Sequence, residues 1–132
     1  MVSIAFDQRE GFIWMNGKMS PWADTKVHVL THGLHYGSCV FEGERAYNGT
    51  IFKLREHTER LFYSARELGF ELPYSVDEID EACIKTLEAN GLADGYIRPV
   101  AWRGSEMMGV SAQQNRINVA IAAWEWPSYF DP

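Results

Sequence analysis

The hydrophobic pattern of the chain changes its period twice, and this change limits the possible fold more than any other feature. Short apolar runs interrupted by Asn-Gly pairs fill roughly the first fifty residues, and two segments with helical periodicity follow them. Two further strand-like runs come after the helical segments. Because strands and helices occur in separate blocks, the sequence predicts an α+β domain in two layers, with an antiparallel-rich sheet and helices on one side.

The two Asn-Gly pairs predict two β-hairpins in the first block. Asn16-Gly17 interrupts the apolar run 12–19, and Asn48-Gly49 separates residues 39–47 from residues 50–53. A tight primed turn requires positive φ at both of its central residues, which Asn and Gly tolerate better than other residue types.

The middle of the chain is predicted to form two helices. The first covers residues 55–68, with Leu54, Leu61, Ala65 and Leu68 on one face, and Gly69 ends it as a left-handed stop. The second begins at a capping box formed by Ser75 and Glu78 and ends at Gly91, with Val76, Ile79, Cys83, Leu87 and Asn90 facing inward.

The last two predicted elements are strands over residues 96–102 and 117–124. The second is almost wholly apolar, so we expect a central strand that is buried on both faces. Pro99 lies inside the first, and a proline there indicates a strand edge or a bulge.

Composition restricts the class of protein. The 132 residues suit one domain, and a hydrophobic fraction of 46% is sufficient for a core. A net charge of -6 argues against nucleic acid as a partner. The N-terminus lacks the basic region of a secretory signal, and no apolar run approaches membrane-spanning length. Two cysteines suggest no disulfide framework, so a cytoplasmic location is expected.

Two histidines lie close together in a glycine-rich segment. His32 and His35 precede Cys39, so a metal site is one interpretation. A zinc site needs three or four ligands, however, and no second cluster of ligands is present in the sequence. The other interpretation is that both imidazoles form hydrogen bonds within the loop, and on this basis no metal is expected.

Arg60 borders the buried face of the first predicted helix. A guanidinium in that position can bind a phosphate through two N–H groups. The alternative is an ordinary surface arginine that pairs with Glu56, four residues earlier.

Arg98 and Tyr96 share one strand face with Val100 and Trp102. An arginine and a phenol among apolar neighbours form a carboxylate site with an apolar surround. The alternative is a half-buried arginine whose stem packs on Trp102.

Taken together, five segments resemble the class IV (fold-type IV) aminotransferases, and most closely the branched-chain amino acid aminotransferases. Each segment is weak alone, but all five occur in the family's order and spacing, from about Ile13 to Tyr129. They are His35-Tyr36-Gly37 with Val40-Phe41-Glu42-Gly43 and Arg45; Arg55-Glu56-His57 with Arg60-Leu61; Tyr96-Ile97-Arg98-Pro99; Met108-Gly109-Val110; and Ala122-Ala123 with Trp126 and Tyr129.

The resemblance implies a pyridoxal 5'-phosphate cofactor and a substrate pocket. Arg60 matches the arginine that binds the cofactor phosphate. Arg98 matches the residue that accepts the distal carboxylate of glutamate or 2-oxoglutarate, while apolar walls take the side chain of leucine, isoleucine or valine. The residues that match the pocket lining are Phe41, Tyr96, Arg98, Trp126 and Tyr129.

The resemblance also implies partners for this domain. Tyr36 and Val110, together with Met108 and Gly109, match a group that the family places across a subunit interface, so a homodimer or higher homo-oligomer is expected. The family's cofactor-binding lysine lies in a second, C-terminal domain. None of Lys18, Lys26, Lys53 and Lys85 stands at its position.

Residues 1–132 are therefore expected to form a single N-terminal domain that is inactive alone, with the lysine-bearing C-terminal domain absent. Two alternatives remain open. One is another class IV enzyme, such as a D-amino-acid or amine transaminase or an aminodeoxychorismate lyase. The other is a free-standing domain without catalytic activity.

Overall fold

A computed structural model describes residues 4–127 of the chain. Within this part, seven strands form one sheet, accompanied by three α-helices and two short 3-10 helices. The strands are β1 (Phe12–Met15), β2 (Lys18–Pro21), β3 (Cys39–Phe41), β4 (Glu44–Tyr47), β5 (Thr50–Ile51), β6 (Gly95–Arg103) and β7 (Ile117–Trp124). The helices are α1 (His32–Tyr36), α2 (Leu54–Glu67) and α3 (Val76–Ala89).

The sheet is antiparallel, with the order β2-β1-β7-β6-β4-β5 and with β3 also paired to β6. The α+β prediction is therefore confirmed. Both predicted hairpins form, because φ is 50° at Asn16, 97° at Gly17, 51° at Asn48 and 80° at Gly49. These positive values are the backbone geometry that a primed turn requires.

Helices α2 and α3 cover one face of the sheet and enclose the core. Leu61 of α2 and Ile79 of α3 are almost completely buried, as are Ile97 of β6 and Val119 of β7. Side chains alternate between the two faces of a strand. The residues between these core positions therefore point away from the helices, onto a surface that we call the open face. Its residues on the central strands are Cys39, Phe41, Tyr96, Arg98, Val100, Trp102, Asn118, Ala120, Ala122 and Trp124.

The helix predictions are accurate to within one or two residues. Helix α2 spans Leu54–Glu67, and Gly69 follows it with a φ of 82°. Leu68 is exposed, so its predicted place on the inward face is wrong. Ser75 caps α3: its hydroxyl accepts the Glu78 N–H at 3.1 Å, and the Glu78 carboxylate accepts the Ser75 N–H at 2.9 Å.

Pro99 does not mark the edge of the sheet, because β6 lies between β7 and the pair β3 and β4. The edge-strand alternative is therefore wrong. The bulge alternative is wrong as well, because two residues on each strand separate the pair Phe41–Val100 from the pair Glu44–Ile97. Pro99 instead interrupts the partner strand: the Glu42 N–H donates to the Pro99 carbonyl at 3.0 Å, but proline has no N–H to return the bond. Strands β3 and β4 consequently pair with β6 in one continuous register, with a gap at Glu42 and Gly43.

Strand β7 is central, as predicted, since it pairs with both β1 and β6. Burial on both faces was also predicted. It is found at Val119, Ala120 and Ile121 but does not extend to Ala122, which is half-buried on the open face. The sequence pattern did not predict α1, a single helical turn that lies against the open face. There, a Cβ on Gly33 would come within 3.3 Å of the Trp102 side chain.

Candidate functional site

Four of the five residues predicted to line a substrate pocket lie together on the open face. Arg98 donates from Nε and Nη2 to the Tyr96 hydroxyl oxygen, at 3.2 and 2.7 Å. Its guanidinium carbon lies 4.2 Å from the centre of the Phe41 ring. The Tyr96 ring meets Trp126 edge to face, with the ring centres 4.9 Å apart. The fifth residue, Tyr129, lies outside the described residues.

Strand register brings this cluster together. Tyr96 and Arg98 are two residues apart on β6, so they share a face, and Phe41 reaches them from β3, where it pairs with Val100. Tyr96 also pairs with Trp124 of β7, and their rings lie 4.9 Å apart. The alternative interpretation was that the aliphatic stem of Arg98 packs on Trp102. The contacts of the Arg98 guanidinium are with Tyr96 and Phe41.

Gly43 is a site residue whose contact with Tyr96 the sequence reasoning did not predict, although a glycine there indicated a close approach of another surface. A Cβ built on Gly43 would lie 2.2 Å from the Tyr96 hydroxyl oxygen and 3.0 Å from Tyr96 Cζ. The phenol therefore occupies the space that a side chain at this position would fill.

A cavity of about 420 Å³ extends along the open face from Arg98. Its lining is mainly apolar, and Arg98 and Lys26 are its basic residues. A guanidinium in such a setting binds a carboxylate through charge-assisted hydrogen bonds, while aliphatic walls favour a hydrocarbon group. The lining residues are Ile13, Met15, Thr25, Lys26, Val27, Arg98, Val100, Trp102, Ala120 and Ala122.

Arg45 is a second residue whose role the sequence reasoning missed. It lies on β4 directly opposite Tyr96, and its Nη1 donates to the main-chain carbonyl of Trp126 at 2.9 Å. Through this bond, β4 holds the segment that follows β7 beside the Tyr96 ring. The bond goes to a backbone carbonyl far along the chain, so no short-range pattern indicates it.

Arg60 lies apart from this cluster and is paired with Glu42. Its Nε donates to Glu42 Oε2 at 2.9 Å and its Nη2 donates to Oε1 at 2.8 Å. His57 Nδ1 also lies 2.8 Å from Glu42 Oε1. The alternative pairing of Arg60 with Glu56 does not form, because Glu56 is bound to Lys53 at 3.3 Å.

The charges around Glu42 keep its carboxyl group ionised. Burial raises the pKa of Glu42, but the hydrogen bonds from Arg60 and His57 outweigh burial and lower this pKa below its ordinary value. The Arg60 side chain is nevertheless 64% exposed. It borders a recess of about 300 Å³ that is lined by Lys53, Glu56, His57 and Arg60. Three basic residues beside one acid form a donor set that fits a phosphate group.

Glu44 is a buried acid that the sequence reasoning did not single out. It is 1% exposed and lies against the Cys83 thiol, but no nitrogen or oxygen donor of the described residues reaches its carboxyl oxygens. Burial raises the pKa of Glu44 to about 8, and the charges of Glu42 and Asp80 act in the same direction. Burial also raises the pKa of the neighbouring Cys83 thiol well above its ordinary value. Both groups are therefore neutral at pH 7.

The two histidines form hydrogen bonds, as the loop interpretation predicts. His32 Nδ1 lies 2.6 Å from the Ser38 hydroxyl oxygen, and His32 Nε2 lies 2.9 Å from the Gly109 carbonyl oxygen. His35 Nε2 lies 2.8 Å from the Val29 carbonyl oxygen. Within residues 4–127, no group of three or more His, Cys, Asp and Glu side chains is placed to hold a metal ion.

The residues matched to a subunit interface also lie together. The Tyr36 hydroxyl donates to the Met108 carbonyl at 3.0 Å, next to the contact between His32 and Gly109, and Val110 is 76% exposed. This group adjoins α1, at the Trp102 end of β6. At about 3.3 Å per residue, the strand separates Trp102 from Tyr96 by roughly 20 Å.

Comparison with known proteins identifies the class that this fold and cluster define. Residues 39–132 match the family model described as amino-transferase class IV, and the chain belongs to that family. Its relatives include the branched-chain-amino-acid aminotransferase of Pseudomonas aeruginosa, which is 50% identical over 125 residues, covering 92% of this chain and 41% of the relative. The probable branched-chain-amino-acid aminotransferase of Rickettsia felis is 48% identical over 122 residues, covering 92% and 42%.

Solved structures show the same fold. The branched-chain amino acid aminotransferase of Escherichia coli matches with a TM-score of 0.87 and 42% identity, covering 92% of this chain and 41% of that one. The enzyme of Thermoproteus uzoniensis, solved with norvaline, matches with a TM-score of 0.86 and 37% identity, covering 92% and 42%. The domain is thus that of the N-terminal half of fold-type IV enzymes, and the chain spans about two fifths of the length of these relatives.

In the part of the chain that the structure describes, no helix is both long and apolar enough to cross a lipid bilayer.

Proposed function

We propose that this chain is the substrate-selecting N-terminal domain of a branched-chain amino acid aminotransferase. The whole enzyme would exchange an amino group between leucine, isoleucine or valine and 2-oxoglutarate. The observation that carries the proposal is the position of Arg98, which is held by Tyr96 and Phe41 beside an apolar cavity.

An apolar pocket with a guanidinium at its margin suits two different substrates. The distal carboxylate of glutamate would bind the Arg98 guanidinium, which the Tyr96 hydroxyl already orients. A branched hydrocarbon side chain would instead lie against the apolar walls, where Val100, Ala120 and Ala122 line the cavity. Another branched-chain amino acid aminotransferase was solved in complex with N-(5'-phosphopyridoxyl)-L-glutamate, and it matches this chain at 44% identity with a TM-score of 0.85.

The cofactor of this enzyme would be pyridoxal 5'-phosphate, with Arg60 as a ligand of its phosphate. Arg60 is exposed beside Lys53 and His57, so the recess supplies N–H donors to an anionic group. When bound, this cofactor withdraws electrons from the α-carbon of the amino acid and makes its proton labile. The residues of this chain would bind the phosphate, orient the substrate and keep water from the side-chain pocket.

The lysine that bonds to the cofactor would belong to another part of the enzyme. A reactive lysine needs a desolvated or otherwise activated amine. Lys18, Lys26, Lys53 and Lys85 are all exposed, and the last two are paired with Glu56 and Glu81. We therefore propose that residues 1–132 are a single domain that is inactive without a lysine-bearing partner domain.

A second copy of the enzyme would complete the site. Tyr36, Met108, Gly109 and Val110 form one exposed group, roughly 20 Å along β6 from Tyr96. Such a group is better placed to serve a neighbouring pocket than its own.

Cys39 and Cys83 are both free thiols, which suits the reducing conditions of the cytoplasm.

Arg98→Ala in the full-length enzyme tests the proposal. A charged hydrogen bond contributes about 1.5–3 kcal/mol, so kcat/KM for glutamate should fall about ten- to hundredfold. The value for leucine should change about threefold or less, because leucine does not need the guanidinium. Arg66→Ala, on the exposed last turn of α2, is the control. Equal losses with glutamate and leucine would contradict the carboxylate role.

A further inference from the structure

We infer that Glu42 is a positioning residue, which fixes the guanidinium of Arg60 in the orientation that receives the cofactor phosphate. The inference rests on the proposed function and extends it to a residue that does not itself face the ligand. It concerns one buried carboxylate and two basic side chains from α2.

Glu42 is built into the domain at both its main chain and its side chain. Its N–H donates to the Pro99 carbonyl of β6 at 3.0 Å, so the backbone is anchored in the sheet. Its carboxylate is 4% exposed and contacts Arg60 at both oxygens. His57 Nδ1 approaches the same carboxylate at 2.8 Å. The position of the carboxylate is therefore determined by the sheet and by α2 together.

Arg60, in contrast, projects into solvent and needs a support to keep one orientation. A free arginine side chain has many rotamers, and binding a ligand with it loses that freedom. The contact with Glu42 uses Nε and Nη2, which fixes the plane of the guanidinium. Nη1 is not used by Glu42, so its N–H groups remain for the recess beside Lys53 and His57. The anchor thus prepares the arginine for an anion before the anion binds.

The direction in which phosphate affinity changes when Glu42 loses its charge distinguishes positioning of Arg60 from a purely electrostatic effect. A negative carboxylate next to Arg60 repels a phosphate dianion, so loss of its charge alone should tighten phosphate binding. Loss of the support should weaken binding, because Arg60 would then have to be ordered by the ligand. Positioning predicts that Glu42→Gln weakens binding, although the substitution removes a negative charge from the site.

The test is a double-mutant cycle on the full-length, cofactor-free protein, with pyridoxamine 5'-phosphate and pyridoxamine as probes. The two probes differ only in the phosphate. Glu42→Gln should raise the Kd of pyridoxamine 5'-phosphate about five- to tenfold and leave that of pyridoxamine unchanged. In an Arg60→Ala background, Glu42→Gln should not weaken binding further, because the support then has nothing to hold. Glu67→Gln, exposed near the end of α2, is the matched control and should change neither Kd.

Several outcomes would overturn the inference. Tighter or unchanged binding of pyridoxamine 5'-phosphate to Glu42→Gln would do so, and so would an equal loss with and without Arg60. If Arg60→Ala weakens binding but Glu42→Gln does not, the phosphate role of Arg60 stands and the positioning role falls. If Arg60→Ala leaves the Kd unchanged, the phosphate role itself is wrong.

Two further measurements guard against a folding artefact. Glu42→Asp keeps the charge but is one methylene shorter, so it should lose the two-point contact and weaken binding in the same way. In the same protein without ligand, the Arg60 Nε–H should exchange slowly with water and become fast in Glu42→Gln. Unchanged exchange would show that Glu42 does not hold Arg60.

Discussion

Glu44 shows how strongly one residue can depend on its surroundings. Its carboxyl group lies in the core between β4 and α3, close to Asp80 and against the Cys83 thiol, and no nitrogen or oxygen donor of the described residues reaches its oxygens. An ordinary glutamate has a pKa of 4.5, whereas burial raises the pKa of Glu44 to about 8. Between these values the folded protein keeps a proton that the unfolded chain has released. Folding therefore becomes less favourable as the pH rises through this range.

Glu44→Gln should remove this pH dependence. The free energy of unfolding of the wild-type chain should fall between pH 4.5 and about 8 and then level off, because Glu44 is protonated only in the folded state over that range. The full contribution of this group is on the order of 5 kcal/mol. Urea denaturation at pH 5 and pH 8 measures it, and the loss should be markedly smaller in Glu44→Gln.

The control for that measurement is Glu88→Gln, because Glu88 is exposed on α3, the helix that carries Asp80 and Cys83. It should lose as much stability as the wild-type chain between the two pH values. If the free energy of unfolding fell equally between the two pH values in the wild-type chain and in Glu44→Gln, Glu44 would be ionised in the core, or its burial would not raise its pKa.

At the scale of elements, the interrupted strand formed by β3 and β4 organises the candidate site. Pro99 opens the gap in pairing, and the two residues in the gap serve opposite faces. Glu42 points to the helices and holds Arg60, while Gly43 lies under the Tyr96 hydroxyl on the open face. The gap in strand pairing at Glu42 and Gly43 thus contributes to both the proposed phosphate site and the proposed carboxylate site.

Gly43→Ala should damage the carboxylate site without touching Arg98 directly. The new methyl group would lie 2.2 Å from the Tyr96 hydroxyl oxygen, so the ring must move and release the guanidinium. The strain should cost about 1–3 kcal/mol of stability. In the full-length enzyme, kcat/KM should fall more for glutamate than for leucine.

Tyr96→Phe provides the matched background for that variant. Without the hydroxyl, Gly43→Ala should be better tolerated, since the closest atom has been removed. The free energies of unfolding of the two single variants and of the double variant test this. Strictly additive losses of stability would mean that Gly43 and Tyr96 do not meet as the structure indicates.

For the whole molecule, the open face is the side on which the rest of an enzyme is expected. Helices α2 and α3 cover the opposite face, whereas the open face carries only the single turn of α1 among the described helices, and the chain spans about two fifths of the length of its relatives. We propose that the residues that shape the pocket and choose the substrate lie in this domain, and that the covalent chemistry belongs to another part of the enzyme.

The purified 132-residue chain should consequently form no borohydride-trapped adduct with pyridoxal 5'-phosphate at a single lysine. Its four lysines are exposed and should be labelled only weakly and without selection. Peptide mass spectrometry after reduction measures the labelling of each. Lys26 is the most informative position, because it borders the cavity that contains Arg98. Stoichiometric labelling of Lys26 alone would contradict our proposal that the lysine that bonds to the cofactor belongs to another part of the enzyme.

Much of the fold could be predicted from the sequence because it depends on neighbouring residues. Positive φ at Asn16 and Asn48 and the capping box of Ser75 and Glu78 are local preferences of the backbone. Helix limits and strand faces follow from periodicity, which is also local. The grouping of Phe41, Tyr96, Arg98 and Trp126 was predicted only through the family resemblance, and the structure brings these four residues together.

Only the tertiary structure decided which distant groups meet. The sequence offered Glu56 as the partner of Arg60, four residues away on the same helix, but the partner is Glu42 from the sheet. It also could not show that Glu44 is buried, that β6 is central despite Pro99, or that a phenol lies over Gly43. Each of these depends on strand register and on how helices pack across the sheet. Those contacts join residues far apart in the chain, so a local pattern determines the elements and their faces but not the partners of a charged or buried side chain.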